Sequence, residues 1–153
     1  MKVLVIGLGG VGCSTTYLMA GMNVNFDICD NDIIEEGNLN RQFLYNVKDV
    51  GRMKIEVAKE KILLYFPHLL NEINSFEDIE KINFSEYNLI IDCTDNIKTR
   101  KRISEKCKEK NIPLIVSLNS LMVCGMGMCG ACRCSVNGKS KFTCFEGPEF
   151  DGN

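Results

Sequence analysis

The chain has 153 residues, is 45% hydrophobic and 25% charged, and carries a formal net charge of −2. That profile fits a soluble globular protein with one main domain and at most a small appendage. With no basic arm and no run of like charge, nucleic-acid binding gets no support. The longest apolar run, residues 114–123, is far too short to span a bilayer, and Met1-Lys2 leads straight into a strand-like run with no signal peptide, so the expected compartment is the cytoplasm.

In chain order, Lys2–Ile6 (KVLVI) is a β-branched run stopped by glycine and is predicted as a buried strand. A helix is expected from about Gly10 to Gly21 and a second strand over 24–29, followed by a polar, acidic loop over 31–40. Residues 53–66 place Ile55, Ala58, Ile62 and Tyr65 or Phe66 at helical period, and Pro67 ends that helix. A third strand is expected at 72–76 and a fourth at 89–92. A charged helix follows at 97–110 and a further strand at 113–117. Strands alternating with helices imply a Rossmann-like α/β fold, a mostly parallel sheet covered by helices. Beyond about residue 117 the periodicity gives way to glycine, cysteine and methionine, with Asn137-Gly138 marking a tight hairpin turn. Two units are therefore expected, 1–117 for nucleotide binding and 118–153 as a small loop and hairpin module.

Gly7-Leu-Gly9-Gly10-Val-Gly12 lies between the first strand and the first helix. Glycine there permits a tight turn and close approach of phosphates, and the helix N-terminus supplies N–H donors. Asp30 ends the second strand eighteen residues after Gly12, where a carboxylate can accept hydrogen bonds from ribose hydroxyls. These features alone specify an adenine nucleotide (NAD, FAD or ATP), with a glycine turn used only for packing as the alternative.

Asp30-Asn-Asp32-Ile-Ile-Glu35-Glu-Gly-Asn38-Leu-Asn40-Arg41-Gln42, Gly51-Arg-Met-Lys54 and Asp92-Cys-Thr-Asp95-Asn96 together resemble the ThiF/MoeB family. Its members are bacterial relatives of ubiquitin-activating enzymes that adenylate the C-terminal glycine of a small sulfur-carrier protein. The resemblance covers residues 2 to about 116. It implies ATP and Mg2+ as cofactors, a ubiquitin-like carrier as partner and, commonly, a homodimer. The resemblance further implies that Gly10 lies against the phosphates, Asp30 holds the ribose, and Asn38, Arg41, Gln42 and Lys54 belong to the nucleotide site. It places Asp95 and Asn96 by Mg2+ and the reacting phosphate. Arg41, Lys54 and Asp95 are then the expected catalytic residues, because cations must offset charge where two anions meet, and a carboxylate-held Mg2+ escorts pyrophosphate. This chain has Gly37 where that family usually has Ser. The C-terminal half of the family domain, which carries much of the carrier groove, is replaced in this reading by the cysteine segment.

Nine cysteines is a high count, and five fall between Cys124 and Cys144. Cys124, Cys129, Cys132 and Cys144 follow the C-x4-C-x2-C…C run of a plant-type 2Fe–2S cluster. Zinc, which usually pairs two C-x2-C knuckles, and unliganded thiols are the alternatives. Cys134 is the spare thiol, and Met122, Met126 and Met128 are expected to shield the cluster. Cys13, Cys29, Cys93 and Cys107 are expected to be small buried thiols, and His68 an ordinary loop residue. Met128–Cys132 (MCGAC) and Gly147–Asp151 (GPEFD) resemble the iron–sulfur module of the dihydroorotate dehydrogenase electron-transfer subunit and of the small subunit of NADH-dependent ferredoxin–NADP oxidoreductases. That resemblance implies a flavoprotein or larger oxidoreductase subunit as partner. Two activities follow: an adenylyltransferase bearing a redox or electron-transfer module, or an electron-transfer subunit whose Rossmann unit binds NAD or is no longer catalytic.

Overall fold

The run Lys2–Ile6 forms the first strand, β1, and sits at the centre of the main sheet. The computed structural model describes residues 1–69, 73–118 and 126–152. After β1 come α1 (Gly10–Gly21), β2 (Asn25–Cys29), α2 (Lys54–Tyr65), β3 (Ser75–Phe76), β4 (Leu89–Asp92), α3 (Ile97–Lys110) and β5 (Leu114–Ser117). The chain continues through β6 (Arg133–Val136), β7 (Lys139–Phe142), the single turn α4 (Thr143–Glu146) and β8 (Glu149–Asp151). The main sheet runs β3-β2-β1-β4-β5-β8, parallel throughout except for the β5–β8 pair. The expected Rossmann-like, mostly parallel α/β architecture is what the chain adopts. The expected strand at 72–76 shrinks to Ser75–Phe76, residue 72 lying outside the described residues.

β1 is apolar at every position because both faces of the sheet are covered. Val3 packs with Phe26, Ile28, Ala58 and Ile62 on the face of α1 and α2. Leu4 and Ile6 point the other way, to Ile90, Ile103 and Leu114 under α3. Helix boundaries follow local chemistry. Asn96 caps α3 by accepting from the N–H of Lys98 and Thr99, and Asn111 ends it in the left-handed region at φ 52°. Asn137 and Gly138 both have positive φ, as the two-residue turn between β6 and β7 requires.

β5 would by itself end the sheet on an open edge. Instead β8 returns from the cysteine segment and pairs antiparallel with it, Ile115 opposite Asp151 and Ser117 opposite Glu149. Residues 148–152 are thereby laced to the main sheet, while the β6–β7 hairpin forms a small sheet of its own. No helix among the described residues is long and apolar enough to cross a membrane.

One buried polar network pins the first strands. Asp27 is fully buried on β2 and accepts from Lys2 Nζ at 2.8 Å, the Tyr87 hydroxyl at 2.7 Å and the Asn74 N–H at 2.8 Å. Burial pushes this carboxyl up, but the Lys2, Asn74 and Tyr87 donors outweigh it, and its pKa lies below the ordinary value. A depressed folded pKa means the stabilisation is in full force above the unfolded value of about 3.9 and fades as pH falls through the folded one. Asp27→Ala should cost about 3 kcal/mol by leaving Lys2 and Tyr87 without their acceptor. Thermal unfolding of that variant should also show a flatter loss of stability below about pH 4 than the parent.

Candidate functional site

The carboxyl ends of β1, β2 and β4 open onto a cleft of about 530 Å3, at the point where the strand order reverses between β1 and β4. Its wall combines the glycine turn (Gly7, Gly9, Gly10), Asp30 and Asp32 from the end of β2, Asn38, Arg41 and Gln42 from the following loop, Lys54 from the start of α2, and Asp95 with Asn96 after β4. A larger cavity of about 780 Å3 lies at the opposite end of the sheet, around Pro113 and Phe150, and gathers none of these motif residues.

The turn is held from below. Gly7 adopts φ +93°, and a Cβ on it would meet the Cys93 backbone at 2.9 Å, so only glycine fits. The Leu8 N–H donates to Asp30 Oδ2 at 2.6 Å, and the Asp32 N–H to Asp30 Oδ1 at 2.7 Å. The Leu8 carbonyl accepts from the Tyr45 hydroxyl at 3.0 Å and from the Cys13 thiol. Burial raises the Asp30 carboxyl above its usual range despite those two amides. Asp30 therefore fixes the turn as well as facing the cleft. Gly12, expected as a nucleotide contact, does not line the cleft. It sits beneath the turn, where a Cβ would come within 1.9 Å of the Gly7 carbonyl oxygen. Its role is close helix–turn packing.

Lys54 is buried at the first position of α2, and its Nζ lies 2.8 Å from Asp32 Oδ2, a carboxylate that is itself 63% exposed. The Arg41 stem crosses Gly10, and its guanidinium donates to the Gly37 carbonyl and to Asn40 Oδ1, both at 3.1 Å. Gln42 is buried to 3% exposure, yet its Oε1 has no hydrogen-bond partner among the described residues. A buried acceptor without a donor on the wall of a cleft asks for a ligand donor. Asn96 spends its side-chain oxygen on capping α3. Gly37 is exposed, and a Cβ there would meet nothing within 4 Å. Gly37→Ser should therefore fold normally, with an unfolding midpoint matching the parent's in thermal unfolding.

Sequence reading missed the clamp behind Asp95. The Arg100 guanidinium donates to the Thr94 carbonyl and, at 2.6 Å, to the Ser117 carbonyl. Its Nε stands 4.0 Å from Oδ2 of Asp92, which is buried with no hydrogen-bond partner among the described residues, while Asp92 Oδ1 takes the Thr94 N–H and hydroxyl. Burial lifts the Asp92 carboxyl above its usual range. Glu77, Asp78, Thr99 and Arg102 also line the cleft without any motif to announce them.

The cysteines divide as expected in one respect. Cys13, Cys29 and Cys107 are buried in the core. Cys93 is half-buried on the cleft wall, and burial pushes its thiol up to about 12. In the C-terminal segment Cys132 Sγ lies 3.1 Å from Cys144 Sγ, and the Gly127 N–H points at Cys144 Sγ at 3.3 Å. Cys129 is exposed, Cys134 donates to the Lys141 carbonyl across the hairpin, and Cys124 lies outside the described residues. Met126 and Met128 are solvent-exposed rather than arranged as a shield; Met122 lies outside the described residues. Among the described residues no group of three or more His, Cys, Asp or Glu side chains is placed to hold a metal ion. His68 packs edge-on against Phe66 in the turn after α2.

The ThiF family model matches residues 1–149. The chain belongs to the ThiF family. This ThiF match runs through the β6–β7 hairpin to the start of β8, beyond the limit of about residue 116 read from the motifs. The chain is 34% identical over 118 residues to the molybdopterin-synthase adenylyltransferase of Salmonella typhimurium strain LT2, covering 74% of this chain and 47% of that protein. To the adenylyltransferase and sulfurtransferase UBA4 of Saccharomyces cerevisiae strain RM11-1a it is 39% identical over 123 residues, covering 74% of this chain and 27% of that protein. The crystal structure of E. coli MccB with ATP superposes with a TM-score of 0.62 at 28% identity, over 75% of this chain and 36% of that one. The chain thus spans half or less of the length of these ThiF-family relatives.

Proposed function

We propose that this chain binds Mg-ATP in the cleft and transfers AMP to the C-terminal carboxylate of a small ubiquitin-like sulfur-carrier protein. The observation that carries the reading is the convergence of Asp30, Asn38, Arg41, Gln42, Lys54, Asp95 and Asn96, from four separate segments, on one cleft beside the glycine turn. The names of the adenylyltransferase relatives support it. In the reaction a carrier carboxylate oxygen bonds to the α-phosphorus, and the bond from that phosphorus to the bridging oxygen of pyrophosphate breaks. The N–H groups at the start of α1 and the glycine turn that Asp30 pins receive the phosphates. Arg41 and Lys54 offset the charge that gathers as two anions meet. Asp30 orients the ribose, and Gln42 Oε1 offers its unused acceptor to the nucleotide.

The wall also suits Mg2+, a hard ion that takes oxygen donors, because the Asp32 and Asp95 carboxylates both face the cleft. When bound, that ion neutralises the departing pyrophosphate. The test is carrier-dependent exchange of pyrophosphate into ATP. Asp95→Ala should abolish it, and exchange at the parental rate in that variant would overturn the reading.

A second reading concerns the C-terminal segment, a 2Fe–2S site with Cys124, Cys129, Cys132 and Cys144 as ligands and an electron-transfer or redox-sensing role. The closeness of the Cys132 and Cys144 sulfurs favours it, since two thiolates on one tetrahedral metal stand roughly 3.7 Å apart given metal–sulfur bonds of about 2.3 Å. A backbone N–H aimed at one of those sulfurs also suits a thiolate-bound cluster. Iron-and-sulfide reconstitution should give a reducible visible spectrum that Cys129→Ser removes. Iron-free protein with full activity would exclude a working cluster.

A further inference from the structure

We infer that, in the metal-free chain, Cys132 and Cys144 form a redox-active dithiol that a hydroperoxide closes to an intramolecular disulfide. The pair is preset by backbone rather than by chance proximity. Cys132 lies at the foot of β6 and Cys144 in the turn just after β7. The hairpin register, Arg133 opposite Phe142, carries on past the strands, because the Thr143 N–H and Thr143 hydroxyl both donate to the Cys132 carbonyl at 3.2 Å. Those two bonds hold the segments together at the level of the sulfurs. Gly127, left-handed at φ +78°, turns its N–H onto Cys144 Sγ and fixes that sulfur 3.1 Å from Cys132 Sγ. Closing to a bond of about 2.05 Å asks for a movement of about 1 Å, within the reach of side-chain rotation.

Exposure assigns the order of events. Of the two, Cys144 is half-buried and Cys132 is 2% exposed, so the peroxide reaches Cys144 before Cys132. The Cys144 sulfur attacks one peroxide oxygen, the S–O bond forms, the O–O bond breaks, and the other oxygen leaves as alcohol or water with a proton. Cys132 sulfur then attacks the sulfenic sulfur; the S–S bond forms, the S–O bond breaks, and that oxygen leaves as water. Two thiols are oxidised by two electrons in all, and the peroxide is reduced by two. Cys134 is excluded as the resolving thiol because it is turned to the Lys141 carbonyl within the hairpin. The inference does not depend on the iron–sulfur reading, although a cluster and this disulfide compete for the same two sulfurs.

The experiment uses the full chain, reduced, freed of metal by chelation, treated with hydrogen peroxide, alkylated and mapped by mass spectrometry without reduction. A Cys132–Cys144 linked peptide should dominate and persist in Cys134→Ser. In Cys132→Ser the link should be replaced by a sulfenic acid at Cys144 that dimedone traps. Linkage of Cys144 mainly to Cys129 or Cys134, or only between chains, would overturn the inference. So would oxidation that stops at separate sulfenic acids in the parent chain. Reconstitution with iron and sulfide, followed by visible absorption, is scored separately, so this inference and the cluster reading can fail independently.

Discussion

Lys54→Met should lower carrier-dependent ATP–pyrophosphate exchange by roughly 10²- to 10³-fold, the usual cost of removing one preorganised charge or donor from a developing anion. Methionine keeps the length and apolar character of the stem, so the packing of the first turn of α2 survives. The partner that is lost, Asp32, is mostly exposed and can be solvated. Folding stability should therefore move little, and thermal unfolding run beside the exchange assay separates the two. The arrangement explains why the effect should be large. Among the described residues Lys54 is the buried cation on the cleft wall, and its ion pair is to an exposed carboxylate that water can relieve as soon as a triphosphate arrives. Lys54→Arg retains charge without fitting the buried slot and should recover only part of the rate. Exchange within threefold of the parent in Lys54→Met would remove this residue from the chemistry.

The second large effect is expected at Gly12. Gly12→Ala places a methyl 1.9 Å from the Gly7 carbonyl oxygen and 2.8 Å from its carbon. Neither is the end of a flexible side chain, so the turn must move away from α1. The cost should be about 3 kcal/mol, seen as a lower unfolding midpoint, together with at least a tenfold loss of Mg-ATP affinity. Gly9→Ala is the informative contrast. Its backbone is extended and its added methyl meets only Gln42 Nε2, at 3.9 Å. It should fold as the parent does and lose affinity alone, because the methyl occupies space on the phosphate side of the turn. Equal behaviour of the two variants in both assays would contradict the division between a packing glycine and a contact glycine.

What could be read from sequence was local. The β-branched run of β1, the glycines that stop it, the period of α2 and the Asn-Gly of the hairpin each report their conformation within a few residues. Part of the cleft was legible as motifs, and the fold brings nine of the ten expected nucleotide-site positions, together with Asp95, onto one wall, while Glu77, Asp78, Thr99 and Arg102 join it unannounced. What escaped depends on partners far along the chain. Arg100 sits among many charges on α3 and reads as a solvated lysine-rich face, yet it is mostly buried and tied to the Thr94 and Ser117 carbonyls. Gln42 sits in a polar loop, and its burial comes from the tertiary fold. β8, three residues long, lacks enough alternation to announce itself and exists because β5 offers it an edge.

That last strand sets an order on folding. β8 pairs with β5 only after about thirty intervening residues have been traversed, a longer closure than the β4–β5 pairing beside it, so this edge should be covered after β5 has joined β4. Until it is, the Leu114 carbonyl and the Leu118 amide, which β8 and the residues flanking it engage in the folded sheet, face solvent on an unpaired edge, the kind of edge that recruits other chains. The cysteine hairpin is thus also the tether whose compaction decides how long this sheet stays sticky.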